Sequence, residues 1–150
     1  MAKQQQYHWL SGYIASIYRQ SKSEFKKQLA LPGFKGTQSD VMMFLYDHKG
    51  LCQRQIAAQM GVDPSLLARD IKTLLEHKLV VSQINPNDKR ANVIALSQQG
   101  EELAKRQIRA INTWWSHFFE QEPEVDPAAV LQTLAALNRH LKVQISANAQ

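Results

Sequence analysis

Two short clusters of residues carry side chains suited to reading a polyanion. The first is Ser65, Leu66, Arg69, Lys72 and Thr73. Projecting residues 64 to 77 at about 100° per residue puts Ser65, Arg69, Lys72, Thr73 and Glu76 on one side, with Leu66 at its border. Leu67, Ile71, Leu74 and Leu75 fall in the opposite sector and are expected to face a core. A guanidinium at Arg69 suits a bidentate contact to guanine, worth about 1–3 kcal/mol of discrimination, and Leu66 suits a thymine methyl group. Ser65 stands at the N-terminal end, where such helices touch bases. The competing reading is that Arg69 and Lys72 are ordinary solvated positions, with Asp70 and Glu76 cancelling their charge within the helix. The second cluster is Lys89 and Arg90 within Asn85-Pro86-Asn87-Asp88-Lys89-Arg90-Ala91. A guanidinium on a thin polar tip suits the narrow minor groove, where the potential is most negative. Asp88, by a charge-assisted hydrogen bond, would hold and aim Arg90. Here too a solvated turn is the alternative.

The surrounding sequence supplies elements that would position both clusters. From Tyr7 to about Leu31 the pattern is helical: Leu10, Ile14 and Ile17, widened by Trp9, Tyr13, Tyr18, Phe25 and Leu29, with Leu31-Pro32-Gly33 as the stop. Thr37-Gln38-Ser39-Asp40 opens a second helix carrying Val41, Met42, Phe44 and Leu45, closed by Gly50. Cys52 to Met60 is a short helix ended by Gly61, which tolerates the left-handed conformation. Asp63-Pro64 reads as N-cap and first helical residue of the next, which ends near Lys78. Val80–Ile84 and Asn92–Leu96 are short strands flanking the polar tip. Ser97 caps a helix running to about Glu120, with Leu103, Ile108, Ile111, Trp115 and Phe118 on its apolar side. After Glu122–Pro127 the last helix carries Val130, Leu134, Leu137, Leu141 and Ile145. Two helices joined by the tight turn Gly61-Val62-Asp63 and followed by a hairpin make a winged helix-turn-helix. The expected fold is mainly α with a small β-hairpin wing.

Composition narrows the function. The 150 residues hold 18 Lys and Arg against 13 Asp and Glu, a net charge of +5. A basic balance fits a polyanionic partner. No apolar run reaches the roughly 20 residues needed to cross a bilayer, so no membrane partner is expected. Met1-Ala2-Lys3-Gln4-Gln5-Gln6 has no apolar leader. The single Cys52 forms no internal disulfide, which fits a reducing cytoplasm. His8, His48, His77, His117 and His140 have no metal-ligand spacing, so neither metal nor cofactor is expected. There is no Gly-rich phosphate loop, nucleophile elbow or carboxylate pair, and Cys52 with His48 lacks an orienting third group, so the chain is not expected to be an enzyme. Cys52 at a helix start, where the dipole lowers a thiol pKa, leaves a thiol-based redox sensor as an alternative; a small half-buried residue is the plainer reading.

The stretches Gln53-Arg54-Gln55-Ile56-Ala57-Ala58-Gln59-Met60-Gly61-Val62 and Leu67-Ala68-Arg69-Asp70-Ile71-Lys72-Thr73-Leu74-Leu75-Glu76-His77-Lys78-Leu79-Val80 resemble the multiple-antibiotic-resistance regulator (MarR) family. So do the wing Asn85–Ala91 and Leu96-Ser97-Gln98-Gln99-Gly100-Glu101-Glu102-Leu103. The resemblance runs over about residues 37 to 103. Three positions depart from it: Ala68 for a serine, Lys78 for a glycine, and Asn85 for an acid. The resemblance implies Arg90 as the minor-groove residue, Asp88 as its orienting partner, and residues 65 to 73 as the major-groove reader.

A winged helix needs only about 70 residues, yet long amphipathic helices precede and follow it. One domain over residues 1–150 is expected, with dimerisation helices at about 7–31 and 98–147 and the winged helix-turn-helix at about 37–97. The near-heptad leucines of the last helix suit an interface. In the resembled family both termini interlock into a twofold dimer, which sets two reading helices about 34–36 Å apart on a palindromic operator. The family also places a small-molecule pocket between the dimer helices and the DNA module. Tyr7, Trp9, Tyr13, Trp114 and Trp115 are aromatic enough to line one for a small aromatic or apolar effector, although such a stripe is also ordinary core. The expectation is a homodimeric, ligand-responsive repressor of transcription. The rival is a winged helix used as a protein-interaction module, whose outer face would be apolar or acidic and its wing uncharged.

Overall fold

The computed structural model describes residues 6–29 and 35–148, and the side chains among them other than those of residues 28–29 and 143–148. The helix stop at Leu31-Pro32-Gly33, the first five residues, and the Leu29 and Ile145 side chains therefore lie outside the described residues. The elements are α1 (His8–Leu29), α2 (Gly36–Asp47), α3 (Gln53–Met60), α4 (Pro64–Glu76), β1 (Val80–Ile84), β2 (Asn92–Leu96), α5 (Gln98–Gln121) and α6 (Pro127–Asn148).

Local chemistry explains the boundaries. The Asp63 carboxylate accepts from the Ser65 and Leu66 amides at 2.9 and 3.1 Å, which caps α4, and Pro64 takes the first helical position where no donor is needed. The Ser97 hydroxyl accepts from the Gly100 amide at 3.0 Å and caps α5. Gly61 ends α3 at φ +67°, with the Val62 amide reaching back to the Ala57 carbonyl at 3.1 Å. That closure is what makes the turn between α3 and α4 tight.

The core sits inside the winged helix. Val41, Met42 and Leu45 of α2, Ile56 of α3 and Leu67, Ile71 and Leu74 of α4 are buried together with Leu79, Val80, Ile94 and Leu103. Full burial of each such side chain contributes about 1.5–3 kcal/mol. The sheet is one antiparallel pair with Val80 opposite Leu96 and Ile84 opposite Asn92. Leu51 and Cys52 add a short third edge: the Ile94 amide donates to the Leu51 carbonyl at 3.0 Å, and Cys52 bridges Val93.

One pair of residues on α4 differs from the helical projection. Leu75, expected in the core, is 39% exposed, and Asp70, assigned to neither face, is only 4% exposed. The buried sector centres on Leu67, Ile71 and Leu74, and Asp70 lies nearer its axis than Leu75. No ion pair joins Asp70 to Arg69 among the described residues.

Two long helices flank this unit. α1 packs on α5, with Phe25 buried and meeting the Trp114 ring edge-on at 5.4 Å. α1 is also fastened to α2: the Tyr18 hydroxyl donates to Asp40 at 2.6 Å, and Lys22 forms an ion pair with the same carboxylate. The outer faces of both ends are apolar and open. Trp9, Leu10, Tyr13, Ile14 and Ile17 on α1 are exposed, as are Leu131, Leu134, Leu137 and Leu141 on α6.

Candidate nucleic-acid interface

Ser65, Leu66, Arg69 and Lys72 all lie exposed on α4. No carboxylate lies within ion-pair distance of Arg69 or Lys72 among the described residues. Their cationic heads are therefore available to an external anion. Thr73 is placed differently from its neighbours. It is half-buried, and its hydroxyl donates to the Arg69 carbonyl one turn back at 3.1 Å. That bond satisfies the hydroxyl proton inside the helix and leaves only the oxygen lone pairs to offer.

The wing is shaped by two successive side chain-to-backbone turns. The Asn85 side chain accepts from the Asn87 amide, and the Asp88 carboxylate from the Arg90 amide, each at 3.0 Å. Asp88 thus orients Arg90 through its backbone. The expected carboxylate–guanidinium pair is absent among the described residues; the carboxylate bonds the Arg90 backbone instead. Lys89 and Arg90 are exposed at its tip.

A single joint ties α4 and the wing together. Lys78 sits at φ +57°, and the Leu79 amide closes on the Leu74 carbonyl at 2.9 Å. The Ser97 hydroxyl donates to the Lys78 carbonyl at 2.7 Å, and the Ser97 amide to the Leu79 carbonyl at 2.9 Å. Gly100 presses so close that a Cβ there would lie 1.9 Å from the Leu79 oxygen. The end of α4, the start of β1 and the first turn of α5 are thereby one rigid junction.

The five aromatic residues read as a pocket are not brought around one cavity. Tyr7, Trp9 and Tyr13 are exposed along α1, with Trp9 and Tyr13 in edge-on contact at 6.2 Å. Trp114 and Trp115 are half-buried on α5, stacked with Phe118 and Phe119. A cavity does open between α1, α2 and α5, but its polar lining is Arg19, Lys22, Ser23, Lys26, Lys35, Ser39 and Gln107. Two sequence signals pointed there: cations at 19, 22 and 26 along one helical face, and an amide at 107 between Leu103 and Ile111 in an otherwise apolar stripe. Cys52 is half-buried at the start of α3, its amide donating to the Gln55 side chain at 2.9 Å. His48 stacks on Phe44 at 4.0 Å, with Nδ1 3.0 Å from the Phe44 carbonyl. Among the described residues no cluster of three or more His, Cys, Asp or Glu is placed to hold a metal ion. No described helix is long and apolar enough to cross a membrane.

Helices α3 and α4, the tight turn between them and the charged hairpin define a winged helix-turn-helix protein. The MarR family model matches residues 33–91, the segment that holds α3, α4 and most of the hairpin. A curated relative, the HTH-type transcriptional regulator BilQ of Clostridium symbiosum (strain WAL-14163), is 23% identical over 103 residues, spanning 68% of this chain and 72% of that protein. In fold, the chain is similar to S. aureus MepR in its DNA complex, with 20% identity, coverage of 90% of this chain and 97% of that chain, and a TM-score of 0.69. It is also similar to CouR from Rhodococcus jostii RHA1 bound to p-coumaroyl-CoA, at 20% identity, 90% coverage of each chain and a TM-score of 0.68. Over its winged helix-turn-helix the chain is similar to the MarR family.

Proposed function

We propose that this protein is a transcriptional regulator that binds double-stranded DNA as a homodimer and represses by occupying a palindromic operator until a small ligand releases it. The observation that carries the reading is the pair of unneutralised cationic elements, Arg69 and Lys72 on α4 and Lys89 and Arg90 on the wing, joined through one rigid junction. Such a pair suits simultaneous entry into a major groove and the flanking minor groove. Ser65 and Leu66, at the capped N-terminus of α4, take the base-edge positions, and Thr73 contributes an acceptor. On this reading the chain is one functional unit, with residues 37–97 reading DNA and the helices at about 7–31 and 98–147 pairing two copies. The relative solved with DNA and the one solved with a small ligand support the two halves of the proposal. A protein-interaction module is disfavoured by the exposed cations on both reading surfaces. A role in catalysis is not proposed.

The test is selection from random duplexes, followed by affinity against salt. A twofold-symmetric consensus is expected, with log Kd rising linearly with log salt. Arg90→Ala should lose about 1–3 kcal/mol and flatten preference at the flanking positions, whereas Lys89→Ala should weaken all duplexes alike and lower the salt slope by about 1. A purified protein without preference for any duplex at moderate ionic strength would refute the reading.

A further inference from the structure

Ile84 is 73% exposed, more than any other large apolar side chain among the described residues. The others that stand so far out belong to the apolar rows of α1 and α6 or to the entrance of α1. Ile84 belongs to neither helix: it is the last residue of β1, at the foot of the cationic tip. The register fixes its surroundings. Val80 and Leu96, Ser82 and Ile94, and Ile84 and Asn92 stand opposite one another, so all six share one face of the hairpin. Val80 and Ile94 bury their part of that face in the core, whereas Ile84 and Asn92 lie beyond the edge of the core and are both exposed. A threonine would fit the strand equally well through its branched Cβ and would leave less apolar surface in water. Packing within the single chain therefore gives no reason for an isoleucine here.

The setting of that side chain points to its partner. Between Val80 and Leu96 the charged residues are Asp88, Lys89 and Arg90 alone. The Asp88 carboxylate is bonded to the Arg90 amide, and no ion pair engages Lys89 or Arg90 among the described residues. Arg90 is two residues from Asn92, the cross-strand partner of Ile84, so an apolar side chain and a free guanidinium are separated by roughly 7 Å of strand length. An apolar protein surface would cover Ile84 only by stripping water from these cations. A DNA minor groove receives both: its negative potential takes the guanidinium, and its sugar rings and base stack take the isoleucine. The tip is also stiff. The Asn85 and Asp88 side chains each hold an amide two residues on, and Pro86, between them, has a fixed φ.

We propose that Ile84 is an apolar wedge that enters the minor groove beside Arg90 and opens one base step, so that this protein bends the DNA it binds. The inference rests on the DNA-binding reading above and adds to it a deformation of the duplex and the residue that causes it. Opening a step takes work, and a hairpin that yielded would absorb that work itself; the pinned turns of the tip prevent this. Unstacking costs least at the pyrimidine–purine steps TA and CA/TG. The wedge therefore becomes a sequence preference at a position where Ile84 makes no hydrogen bond. The exposed Asn92 amide, on the same face, offers a donor and an acceptor to the base edges of the opened groove. Two copies of the chain would place one such kink at each wing.

The test uses the full chain and the duplex selected from random sequence, with donor and acceptor dyes at its ends and 2-aminopurine at the flanking step. Binding should shorten the end-to-end distance through a kink of about 20–90° at each wing, and should raise 2-aminopurine fluorescence as its stacking is lost. The selected flanks should carry TA or CA/TG. Ile84→Ser should leave the bound duplex nearly straight, the 2-aminopurine quenched and the flanking step unselected, and should weaken Kd about tenfold. Its Tm should hold, because the side chain stands in solvent, which separates a lost wedge from a lost fold. Ile84→Leu should restore both bend and fluorescence. Val81→Ser removes an apolar side chain from the other face of the same strand and should leave the bend as it is. A straight duplex on the unaltered protein, a bend that survives Ile84→Ser, or an equal loss of bend in Val81→Ser overturns the wedge and leaves the regulator reading standing. Failure to bind any duplex strikes both.

Discussion

Lys78 occupies a backbone conformation that a side chain disfavours, at φ +57° just past the end of α4. The Lys78 amide reaches the Leu75 carbonyl at 3.0 Å and the Leu79 amide the Leu74 carbonyl at 2.9 Å, a closure that glycine enters without steric cost. Lys78→Gly is therefore expected to stabilise the protein by about 1 kcal/mol after glycine's own entropy is counted. That would appear as a Tm rise of about 2–4 °C in thermal unfolding, whereas Lys78→Ala, which keeps its Cβ, should show no comparable gain. Twenty-two residues on, Gly100 poses the opposite case. A Cβ there meets the Leu79 carbonyl oxygen at 1.9 Å, and that oxygen is held by the Ser97 amide. Backbone on both sides has no room to yield, so Gly100→Ala should cost about 2–3 kcal/mol, read as a lower urea midpoint at unchanged slope. Because this junction joins reader to wing, the same variant should lose duplex affinity even at temperatures where it stays folded.

At the scale of elements, the wing separates two readings of Asp88. A carboxylate that aimed the Arg90 guanidinium would depend on its charge; one that caps the Arg90 amide depends only on an acceptor oxygen. Asp88→Asn keeps such an oxygen and should preserve duplex affinity, while Asp88→Ala frees the tip and should weaken binding about fivefold, equivalent to about 1 kcal/mol. Fluorescence anisotropy with the selected duplex distinguishes the two, and equal losses in both variants would restore the guanidinium pair. The elements themselves were legible because each is marked by backbone chemistry local in sequence: Asp63-Pro64 and Ser97 at helix starts, Gly61 at a helix end, and turn formers from Asn85 to Asn87. What lay beyond that reading depends on packing between distant segments. Leu75 lies exposed and Asp70 buried because helical periodicity gives the width of a buried face but not its centre, which α2 and β1 decide. The cavity was missed for the same reason. Its cations come from α1 and the entrance to α2 and its unpaired amide from α5, nearly ninety positions after Arg19, whereas the aromatic residues singled out lie apart on α1 and α5 within the single chain.

Across the whole molecule, the winged helix buries its core, but the outer helices do not complete theirs. Leu131, Leu134 and Leu141 on α6 are 69%, 45% and 55% exposed. α1 leaves Trp9, Leu10, Ile14 and Ile17 similarly open. Apolar rows of this length on two helices mark a surface awaiting another apolar surface, and a second copy of the chain supplies the same rows by twofold symmetry. Each leucine buried there would contribute about 1.5–3 kcal/mol to association. A double change, Leu134→Glu with Leu141→Glu, places charges in that contact while touching nothing in the winged-helix core. Sedimentation should then return a species of 17.1 kDa, the mass of one chain, where the unaltered protein sediments at twice that. Helical content should hold, since the two positions contribute little to the single chain's own core. The consequence for DNA is the sharper one. Binding at both halves of a palindrome adds the second contact at high effective concentration, so the separated chain should lose at least a hundredfold in affinity for the full site. Its affinity for an isolated half-site should be unchanged, because α4 and the wing are intact. A variant that still sediments as a pair would move the interface off α6, and one that sediments singly yet binds the full site undiminished would remove the reason for pairing altogether.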